Sequence, residues 1–204
     1  MTMSEAQRLE QLWSGGFGDE YVDRNLDAYS TRGEFWGPFV RRLAPQSVLE
    51  VGCNIGGNLQ WIAAEIGATN CYGIDVNQKA LDVIRERIPG VQVSLESARE
   101  LQHADRSIDM VFTMGVLIHQ PEESLGEVMD EMVRVANRYV FCGEYFGAET
   151  EEVHYRGHEG ALFRRDYGRL FLDRNADKID LVDRGFLGRD AGFDDVTWWL
   201  FERK

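Results

Sequence analysis

The spacing of hydrophobic positions changes along this chain. From Ser47 onward, short apolar runs alternate with segments in which apolar residues recur every three or four positions. Short apolar runs are typical of buried strands, and the longer spacing is typical of amphipathic helices. The pattern predicts five strands and three helices, the strands at 47–52, 71–76, 91–95, 107–114 and 138–145 and the helices at 57–67, 77–88 and 121–136. This alternation indicates a doubly wound α/β sheet with parallel strands.

The two ends of the chain have different patterns. Residues 3–43 are predicted to be helical with an interruption at SGGFGD, where Asp19 is a candidate cap for the second helix. Residues 178–187 and 195–204 are strand-like and are joined by a short loop with no helix. We therefore expect an antiparallel hairpin that closes an otherwise parallel sheet. The result is a seven-stranded sheet in a single domain spanning residues 1–204.

The charge balance and the cysteines limit the class of protein. The formal net charge is −13, whereas nucleic-acid binding requires a basic surface, so we expect no nucleic-acid partner. No apolar run approaches the roughly 18 residues of a membrane span. The three cysteines are widely spaced and form no CxxC pair, which indicates reduced thiols in a cytoplasmic protein. We expect no metal, because only His154 and His158 have a ligand-like spacing and they lie in a glycine-broken loop. The pattern leaves the oligomeric state open.

A glycine-rich turn follows the first strand, at the place where α/β sheets bind ligands. The turn reads EVGCNIGGN, and the missing Cβ atoms of Gly52, Gly56 and Gly57 allow a ligand to approach the backbone closely. Asp75 ends the second strand about 20 residues further on, where a carboxylate can accept hydrogen bonds from both ribose hydroxyls of an adenosine. The alternative is a strand–helix turn with no ligand.

Several nucleotide classes are excluded by residues that the chain lacks. No lysine completes a phosphate-binding GxxxxGK[ST] loop, and the Tyr-x-x-x-Lys pair of short-chain dehydrogenases is absent. Asn54 replaces the second glycine of a dinucleotide-binding GxGxxG turn. S-adenosylmethionine fits best, because it carries no phosphate and because a terminal antiparallel hairpin distinguishes methyltransferases from dehydrogenases of similar fold. Glu50, just before the turn, is compatible with its cationic amino-acid end.

The chain resembles a known family over nearly its whole length. The motifs that carry the resemblance are WSGGFGDEYVDRN, LEVGCNIGGNL, GVLIHQP, EYF, YRGHEGALFRRDY and DDVTWWLFERK. They are similar to those of the class I S-adenosylmethionine-dependent methyltransferases and, within that class, of the pseudaminic acid biosynthesis-associated methylases. Gly57, Gln60 and a short DRGFLGRDAGF connection depart from the family pattern. A relative that acts on a different acceptor is therefore an open alternative.

The resemblance implies a Rossmann-like fold and a division of labour along the chain. Residues 1–43 would form an N-terminal helical lid, residues 47–144 the cofactor-binding core, and residues 145–204 the acceptor loop and C-terminal hairpin. The implied cofactor is S-adenosylmethionine. Arg24 in the lid would bind its methionine carboxylate, although a helix-surface salt bridge is the alternative for this residue. Asn25 would lie in the same lid. The other implied cofactor contacts are Tyr21, Glu50, Gly52, Cys53, Asn54, Asp75, Val76, Ser97, Ala98, Met114 and Leu117.

The chemistry of methyl transfer suggests candidate catalytic residues. Transfer from a sulfonium requires alignment of donor and acceptor, and a neutral hydroxyl or a protonated amine acceptor also needs a base. His119 follows the fourth strand at the edge where the methyl group should lie, so it is a candidate base, with a structural histidine as the alternative. Glu144 and Tyr145 end the fifth strand on the same edge and are candidate contacts of the acceptor. Capping of the next loop is the alternative for Glu144.

A cationic loop, HYRGHEGALFRRDYG, follows the fifth strand of this acidic chain. Arginines can clamp a carboxylate or phosphate, and glycines allow a loop to close. We expect residues 154–164 to form a lid over an anionic acceptor, whereas Arg165 is expected to be structural. The alternative is a solvated loop whose arginines pair with nearby acids. The residues expected to contact the acceptor are Tyr155, Arg156, His158 and Arg164, with His158 near the reacting group.

The sequence therefore predicts a methyltransferase that acts on a small anionic acceptor. A sugar acid or a nucleotide sugar, modified by O- or N-methylation, would meet this description. One alternative is an enzyme that binds the same cofactor but performs other chemistry, such as cyclisation of the cofactor. Another is a non-catalytic binding subunit, against which the combination of the glycine turn with Asp75 argues.

Overall fold

The computed structural model describes residues 3–26 and 31–204, so residues 1–2 and 27–30 of the predicted N-terminal lid lie outside the described residues. The helices are α1 (Glu5–Ser14), α2 (Gly16–Asn25), α3 (Gly33–Leu43), α4 (Leu59–Ile66), α5 (Gln78–Arg87), α6 (Glu122–Val135) and α7 (Tyr167–Asn175). The strands are β1 (Val48–Val51), β2 (Cys71–Asp75), β3 (Gln92–Leu95), β4 (Ile108–Met114), β5 (Ala136–Glu144), β6 (Glu151–Glu152), β7 (Phe163–Arg164), β8 (Ile179–Leu187) and β9 (Val196–Arg203). Within these residues, no helix is long and apolar enough to cross a membrane.

Seven of the strands form one sheet in the order β3-β2-β1-β4-β5-β9-β8. The pairs from β3 to β5 are parallel, whereas β9 runs antiparallel to both β5 and β8. This confirms the predicted seven-stranded, mostly parallel sheet with an antiparallel C-terminal strand. Because the strand order reverses between β1 and β4, their carboxyl ends flank a crevice, which is where sheets of this class bind ligands.

Helix boundaries follow the local signals in the sequence. Gly67 ends α4 with a φ of 88°, a left-handed conformation that favours glycine. Asn77 caps α5 as predicted, since its side-chain oxygen accepts a hydrogen bond from the Ala80 N–H at 2.9 Å. Glu122 and Glu123 occupy the first turn of α6, where the positive end of the helix dipole stabilises acidic side chains.

The hydrophobic core lies on both faces of the sheet. Trp198 and Trp199 are consecutive on β9, so their side chains leave opposite faces, and both are buried. Trp198 packs in the cluster that contains Trp36 of α3 and Phe141 of β5. Trp199 packs in the cluster that contains Phe171 of α7. Helices therefore cover both faces of the sheet, which is what a doubly wound sheet of parallel strands requires.

The turn between α1 and α2 differs in one detail from the sequence expectation. The predicted break at SGGFGD is present, but α2 begins at Gly16, so Asp19 lies inside the helix instead of capping it. The Asp19 carboxylate instead accepts a hydrogen bond from the Asn77 side-chain amide at 2.9 Å. Gly18 allows this close packing, since a Cβ there would lie 1.7 Å from the Trp13 carbonyl oxygen.

Candidate active site

A cavity of about 490 Å³, here called the main cavity, opens at the carboxyl edge of the parallel strands. The turns after β1, β2, β4 and β5 contribute to it, together with α1, α2 and the loop before β9. A small cavity of about 70 Å³ adjoins it beside α1. The main cavity falls in the volume range of small-molecule sites, about 300–1,000 Å³. Residues that line both cavities are Trp13, Gly52, Asp75, Val116, His119 and Gln120.

The glycine-rich turn after β1 presents its backbone to both cavities. Gly52 has a φ of 73°, and a Cβ at this position would lie 2.6 Å from the Val116 Cγ2 atom. Asn54 has a φ of 45°, a left-handed conformation in which asparagine is enriched. The Asn54 N–H donates to Asp75 Oδ2 at 2.8 Å. Cys53 lines the main cavity beside them. The turn is thus joined to the carboxylate that the sequence assigns to a ribose.

Asp75 ends β2 with both carboxylate oxygens hydrogen-bonded to the backbone. Besides the bond from Asn54, Oδ1 accepts a hydrogen bond from the Asn77 N–H at 2.9 Å. Burial raises the pKa of Asp75, while the hydrogen bonds from the Asn77, Asn54 and Val76 N–H groups lower it. A carboxylate oxygen can accept more than one hydrogen bond, so each oxygen keeps a position for a ligand hydroxyl.

Glu50 is buried beneath the main cavity and anchors a chain of polar contacts. Its Oε1 accepts a hydrogen bond from the Asn58 side chain at 2.6 Å, and the Asn58 oxygen accepts one from Arg32 Nη1 at 2.9 Å. Burial raises the pKa of Glu50 to about 8, although Asn58 and the Arg32 charge lower it. Sequence reasoning missed Arg32, a buried arginine that also donates to the Gly192 carbonyl at 2.9 Å. No local sequence pattern predicts that Arg32 is buried at this site.

Three buried polar atoms around the main cavity have no hydrogen-bond partner among the described residues. They are Glu50 Oε2, Asn54 Nδ2 and the Trp13 indole nitrogen. Leaving a buried polar group unpaired costs roughly 1–3 kcal/mol, so these atoms favour a ligand with both donors and acceptors. The amino-acid end of S-adenosylmethionine has an ammonium and a carboxylate. The residues present therefore fit this cofactor.

His119 lies between the two cavities, below Trp13. Its ring centroid is 4.5 Å from that of Trp13, and its Nδ1 lies 2.6 Å from the Ala161 carbonyl oxygen. A carbonyl can only accept, so the proton resides on Nδ1, and Nε2 carries the lone pair of the neutral ring. Burial lowers the pKa of His119 to about 4, although the bond to Ala161 raises it. The imidazole is therefore neutral near pH 7.

The small cavity is closed on one side by α1. Ser97 and Ala98 line the small cavity with Val76, opposite residues of α1. The Ser97 hydroxyl donates to the Glu10 carboxylate of α1. Sequence reasoning missed Glu10, although the helical spacing of the apolar residues Ala6, Leu9 and Trp13 indicates which face of α1 is buried.

The second helix places Tyr21, Arg24 and Asn25 along the main cavity. Arg24 lies 3.6 Å from the Glu20 carboxylate, and its guanidinium carbon is 5.6 Å from the centre of the Tyr21 ring. Arg24 therefore forms the helix-surface ion pair and also lies on the wall of the main cavity. Met114, at the end of β4, also lines the main cavity.

Four expected site residues lie outside the lining of both cavities, and two of them, Leu117 and Glu144, are buried. Leu117 is buried in the hydrophobic core, because the turn after β4 directs it inward. Glu144 is also fully buried, with its carboxylate hydrogen-bonded to the N–H groups of Val116 and Ile118. A direct catalytic contact does not fit these positions. Tyr145, the next residue, does line the main cavity, and burial raises its pKa to about 12.

The cationic loop divides into residues inside and outside the site. Tyr155 and Arg156 line the main cavity. Arg164 lies on β7, pairs with Glu151 of β6 at 3.7 Å and does not reach the cavity, so the expected contact with the acceptor does not fit. Arg165 is buried and donates to the Gln120 carbonyl at 2.9 Å, which agrees with the structural role expected for it.

The N-terminal segment meets this loop across the main cavity. The Phe17 ring lies 4.9 Å from the His158 ring and 6.1 Å from the Tyr155 ring, measured between centroids. Arg8 Nη2 donates to the Glu159 carbonyl at 3.0 Å. His158 therefore contacts the covering segment and does not line the cavity itself. The two segments predicted as lids therefore contact each other, and both contribute to the wall of the main cavity.

Part of the chain is similar to known methyltransferases. Residues 48–138 match the model of a methyltransferase domain. Methyltransferase GfsG of Streptomyces halstedii is 36% identical over 98 residues, which cover 45% of this chain and 34% of that protein. The chain thus spans about a third of the length of this relative.

Solved structures match the fold over most of its length. The 1,6-didemethyltoxoflavin-N1-methyltransferase of Burkholderia thailandensis, with bound 1,6-didemethyltoxoflavin and S-adenosylhomocysteine, has a TM-score of 0.76 at 12% identity, covering 100% of this chain and 92% of that one. The [4+2]-cyclase SpnF has a TM-score of 0.63 at 16% identity, covering 84% and 80%. At such identities the similarity establishes the fold alone. The predicted Rossmann-like fold is confirmed, and residues 48–138 are similar to a methyltransferase domain.

Proposed function

We propose that the protein is an S-adenosylmethionine-dependent methyltransferase that acts on a small anionic acceptor by O- or N-methylation. The observation that carries the proposal is the convergence of the Gly52 turn, the Asp75 carboxylate and the unpartnered Glu50 oxygen on one cavity. The domain match over residues 48–138 and the S-adenosylhomocysteine bound in the Burkholderia structure support this cofactor. When bound, the sulfonium supplies an activated methyl group.

The residues of the site account for the parts of this cofactor. Asp75 accepts the ribose hydroxyls, and Val76 and Ala98 enclose the adenine in the small cavity. Glu50 Oε2 accepts a hydrogen bond from the ammonium, which favours the ionised form of this carboxyl group. Asn54 Nδ2 donates to the carboxylate end. These contacts satisfy two of the three polar atoms that otherwise have no partner.

His119 is the base in this proposal. The bond from Nδ1–H to the Ala161 carbonyl orients the ring, so that Nε2 accepts a hydrogen bond from the hydroxyl or amine of the acceptor. The low pKa of the ring keeps it neutral, but it also makes His119 a weak base. Nε2 therefore takes the proton only as the acceptor atom loses it during the displacement.

The anionic character of the acceptor rests on Arg156. Arg156 lines the main cavity and forms no ion pair with a carboxylate in the described part of the chain, whereas Arg164 is paired outside it. Tyr145 and Tyr155 add hydroxyl groups and ring faces to the same wall. A sugar acid or nucleotide sugar offers the matching charge and hydroxyls, and the resemblance to the pseudaminic acid biosynthesis-associated methylases supports this choice.

The test is incubation with methyl-labelled S-adenosylmethionine and a panel of sugar acids, nucleotide sugars and uncharged sugar analogues. We expect S-adenosylhomocysteine and a labelled product with anionic acceptors alone. The fold is also similar to that of a cyclase, so the alternative is an enzyme that uses the cofactor for other chemistry. The same mixtures test it, because a cofactor-derived product without transfer to any acceptor would indicate such chemistry. A protein that binds neither S-adenosylmethionine nor S-adenosylhomocysteine would contradict the proposal altogether.

A further inference from the structure

A buried carboxylate at the end of β5 faces a turn of backbone N–H groups. Glu144 has no exposed surface, and no arginine or lysine of the described residues pairs with it. The Val116 N–H donates to Oε1 at 3.3 Å, and the Ile118 N–H donates to Oε2 at 3.2 Å. The Leu117 N–H adds to these interactions. The carboxylate is therefore held by hydrogen bonds from two N–H groups of one turn.

Successive N–H groups that converge in this way form an anion-binding concavity, and here its occupant is a side chain of the neighbouring strand. An ionised carboxylate is costly to bury without a cation, and charge-assisted hydrogen bonds from N–H groups offset that cost. The same hydrogen bonds stabilise the turn at 116–118 in this conformation. An uncharged amide at Glu144 would bring an NH₂ group against at least one of these donors.

This turn leads into residues that line both cavities. Val116 lies within it, and His119 and Gln120 follow it directly. Beyond the turn, the segment is fixed by the bond between His119 and the Ala161 carbonyl and by the bond from Arg165 to the Gln120 carbonyl. Before the turn, the Gly115 N–H donates to the Gly143 carbonyl of β5 at 2.8 Å, and within the turn Glu144 supplies the hydrogen bonds to the sheet.

We infer that Glu144 is a positioning residue, whose carboxylate holds the turn at 116–118 and thereby sets the place and ring orientation of His119. The inference rests on the proposed function in one respect: the position of His119 matters because His119 is the proposed base. It replaces a direct contact between Glu144 and the acceptor, because Glu144 reaches neither cavity.

The pKa of Glu144 differs from those of the ionisable groups packed around it. Burial raises the pKa of Glu144 to about 7, and Thr113 of β4 and the N–H groups of the turn lower it. The pKa of Cys142 on β5 and of Tyr167 on α7 is raised well above neutral by burial, and that of Tyr145 is raised to about 12. Between roughly pH 5 and 9, Glu144 therefore titrates alone within this cluster.

The experiment compares the full-length protein with Glu144→Gln and with Glu131→Gln as a matched control. Glu131 also accepts a hydrogen bond from a backbone N–H, that of Leu101 at 2.8 Å, but it lines neither cavity. Calorimetry measures the Kd of S-adenosylhomocysteine, and ¹⁵N NMR of the imidazole measures the tautomer of His119. Thermal unfolding reports stability.

For Glu144→Gln we expect a mixed tautomer at His119. We also expect the Kd of S-adenosylhomocysteine to rise about tenfold, because Val116 of the turn lines both cavities and binding must then restore a turn that has lost one charge-assisted hydrogen bond. Glu131→Gln should lower the Tm and leave both readouts unchanged. A Glu144→Gln protein that is less stable but keeps the wild-type Kd and the Nδ1–H tautomer would overturn the inference, since this is the result of a merely structural role.

A measurement on the unmodified protein covers the case in which Glu144→Gln fails to fold. The amide proton shifts of Val116 and Ile118 should follow one titration with the Glu144 carboxyl carbon, with its midpoint near pH 7. Amide shifts at 116 and 118 that stay constant through this titration would overturn the inference. Absence of S-adenosylhomocysteine binding to the wild-type protein would contradict the proposed cofactor, while the NMR readouts would still test Glu144.

Discussion

Replacement of Asp75 by alanine should weaken cofactor binding by a predictable amount. The carboxylate ends β2 at both cavities, where it is proposed to accept the ribose hydroxyls. Loss of a hydrogen bond to a charged group costs about 1.5–3 kcal/mol. At about 1.4 kcal/mol for each factor of ten, the Kd of S-adenosylhomocysteine should rise about 10- to 150-fold.

The structure adds a second effect to this prediction. Asp75 also accepts the N–H groups of Asn54 and Asn77, so alanine leaves two backbone donors without their partner. Each such donor costs roughly 1–3 kcal/mol if water does not reach it, so the Tm should fall as well. Asp75→Asn separates the two effects in part, because the amide keeps one acceptor oxygen and the side-chain volume while it removes the charge.

Titration calorimetry with S-adenosylhomocysteine and, separately, with NAD provides the assay. Asp82→Ala is the control, because Asp82 is an exposed carboxylate of α5 that pairs with Arg85 at 2.7 Å and lines neither cavity. We expect Asp82→Ala to bind as the wild-type protein does. An unchanged Kd in folded Asp75→Ala would refute the reasoning, and so would tight binding of NAD in place of S-adenosylhomocysteine.

Further predictions concern the base, the acceptor contact and a buried acid. His119→Ala should lower kcat about 10²-fold or more with little change in the Kd of S-adenosylhomocysteine, and a nearly unchanged kcat in steady-state kinetics would return His119 to a structural role. Arg156→Ala should raise the acceptor KM about tenfold for each 1.4 kcal/mol lost, whereas Arg164→Ala, the control outside the cavity, should leave KM unchanged; equal effects would contradict the assignment. Folding favours the protonated form of Glu50, because its pKa rises from 4.5 unfolded to about 8 folded. Its contribution to stability therefore falls as pH rises through this interval, and Glu50→Gln should remove that decline in denaturant titrations; parallel pH curves would refute it. Binding of S-adenosylhomocysteine at pH 7 should release protons from Glu50, which calorimetry in buffers of different ionisation enthalpy would detect; heats that do not depend on the buffer would contradict the contact.

The sheet and the cofactor turn could be predicted because their signals are local. Gly67 marks the end of a helix through its backbone freedom, and Asn77 marks the start of the next one through its side-chain oxygen. Parallel strands place their carboxyl ends at one edge, so the position of Asp75 beside the Gly52 turn follows from the strand assignment alone. The terminal hairpin followed from two strand-like segments with no helix between them.

The remaining residues of the site depend on packing between distant segments. Glu10, Trp13 and Arg32 reach the cavities because the N-terminal helices pack on the carboxyl edge of the sheet, and no local spacing encodes that contact. The sequence also does not show how deeply a side chain at a strand end is buried. Glu144 was expected at the cavity because it ends the fifth strand at that edge of the sheet, but the turn after β4 supplies N–H groups that hold it inside. Arg164 lies outside the cavity, where it pairs with Glu151 of β6.

Asn77 carries a consequence for how fast a bound cofactor can leave. Its side-chain oxygen caps α5 and its N–H holds Asp75, while its side-chain amide donates to the Trp13 carbonyl at 3.1 Å and to Asp19. Lifting α1 and α2 off the edge of the sheet would therefore expose a buried amide that lies beside Asp75. We therefore expect the residence time of S-adenosylhomocysteine to depend on the residue that caps α5, and Asn77→Ala should shorten that time more than it weakens equilibrium binding.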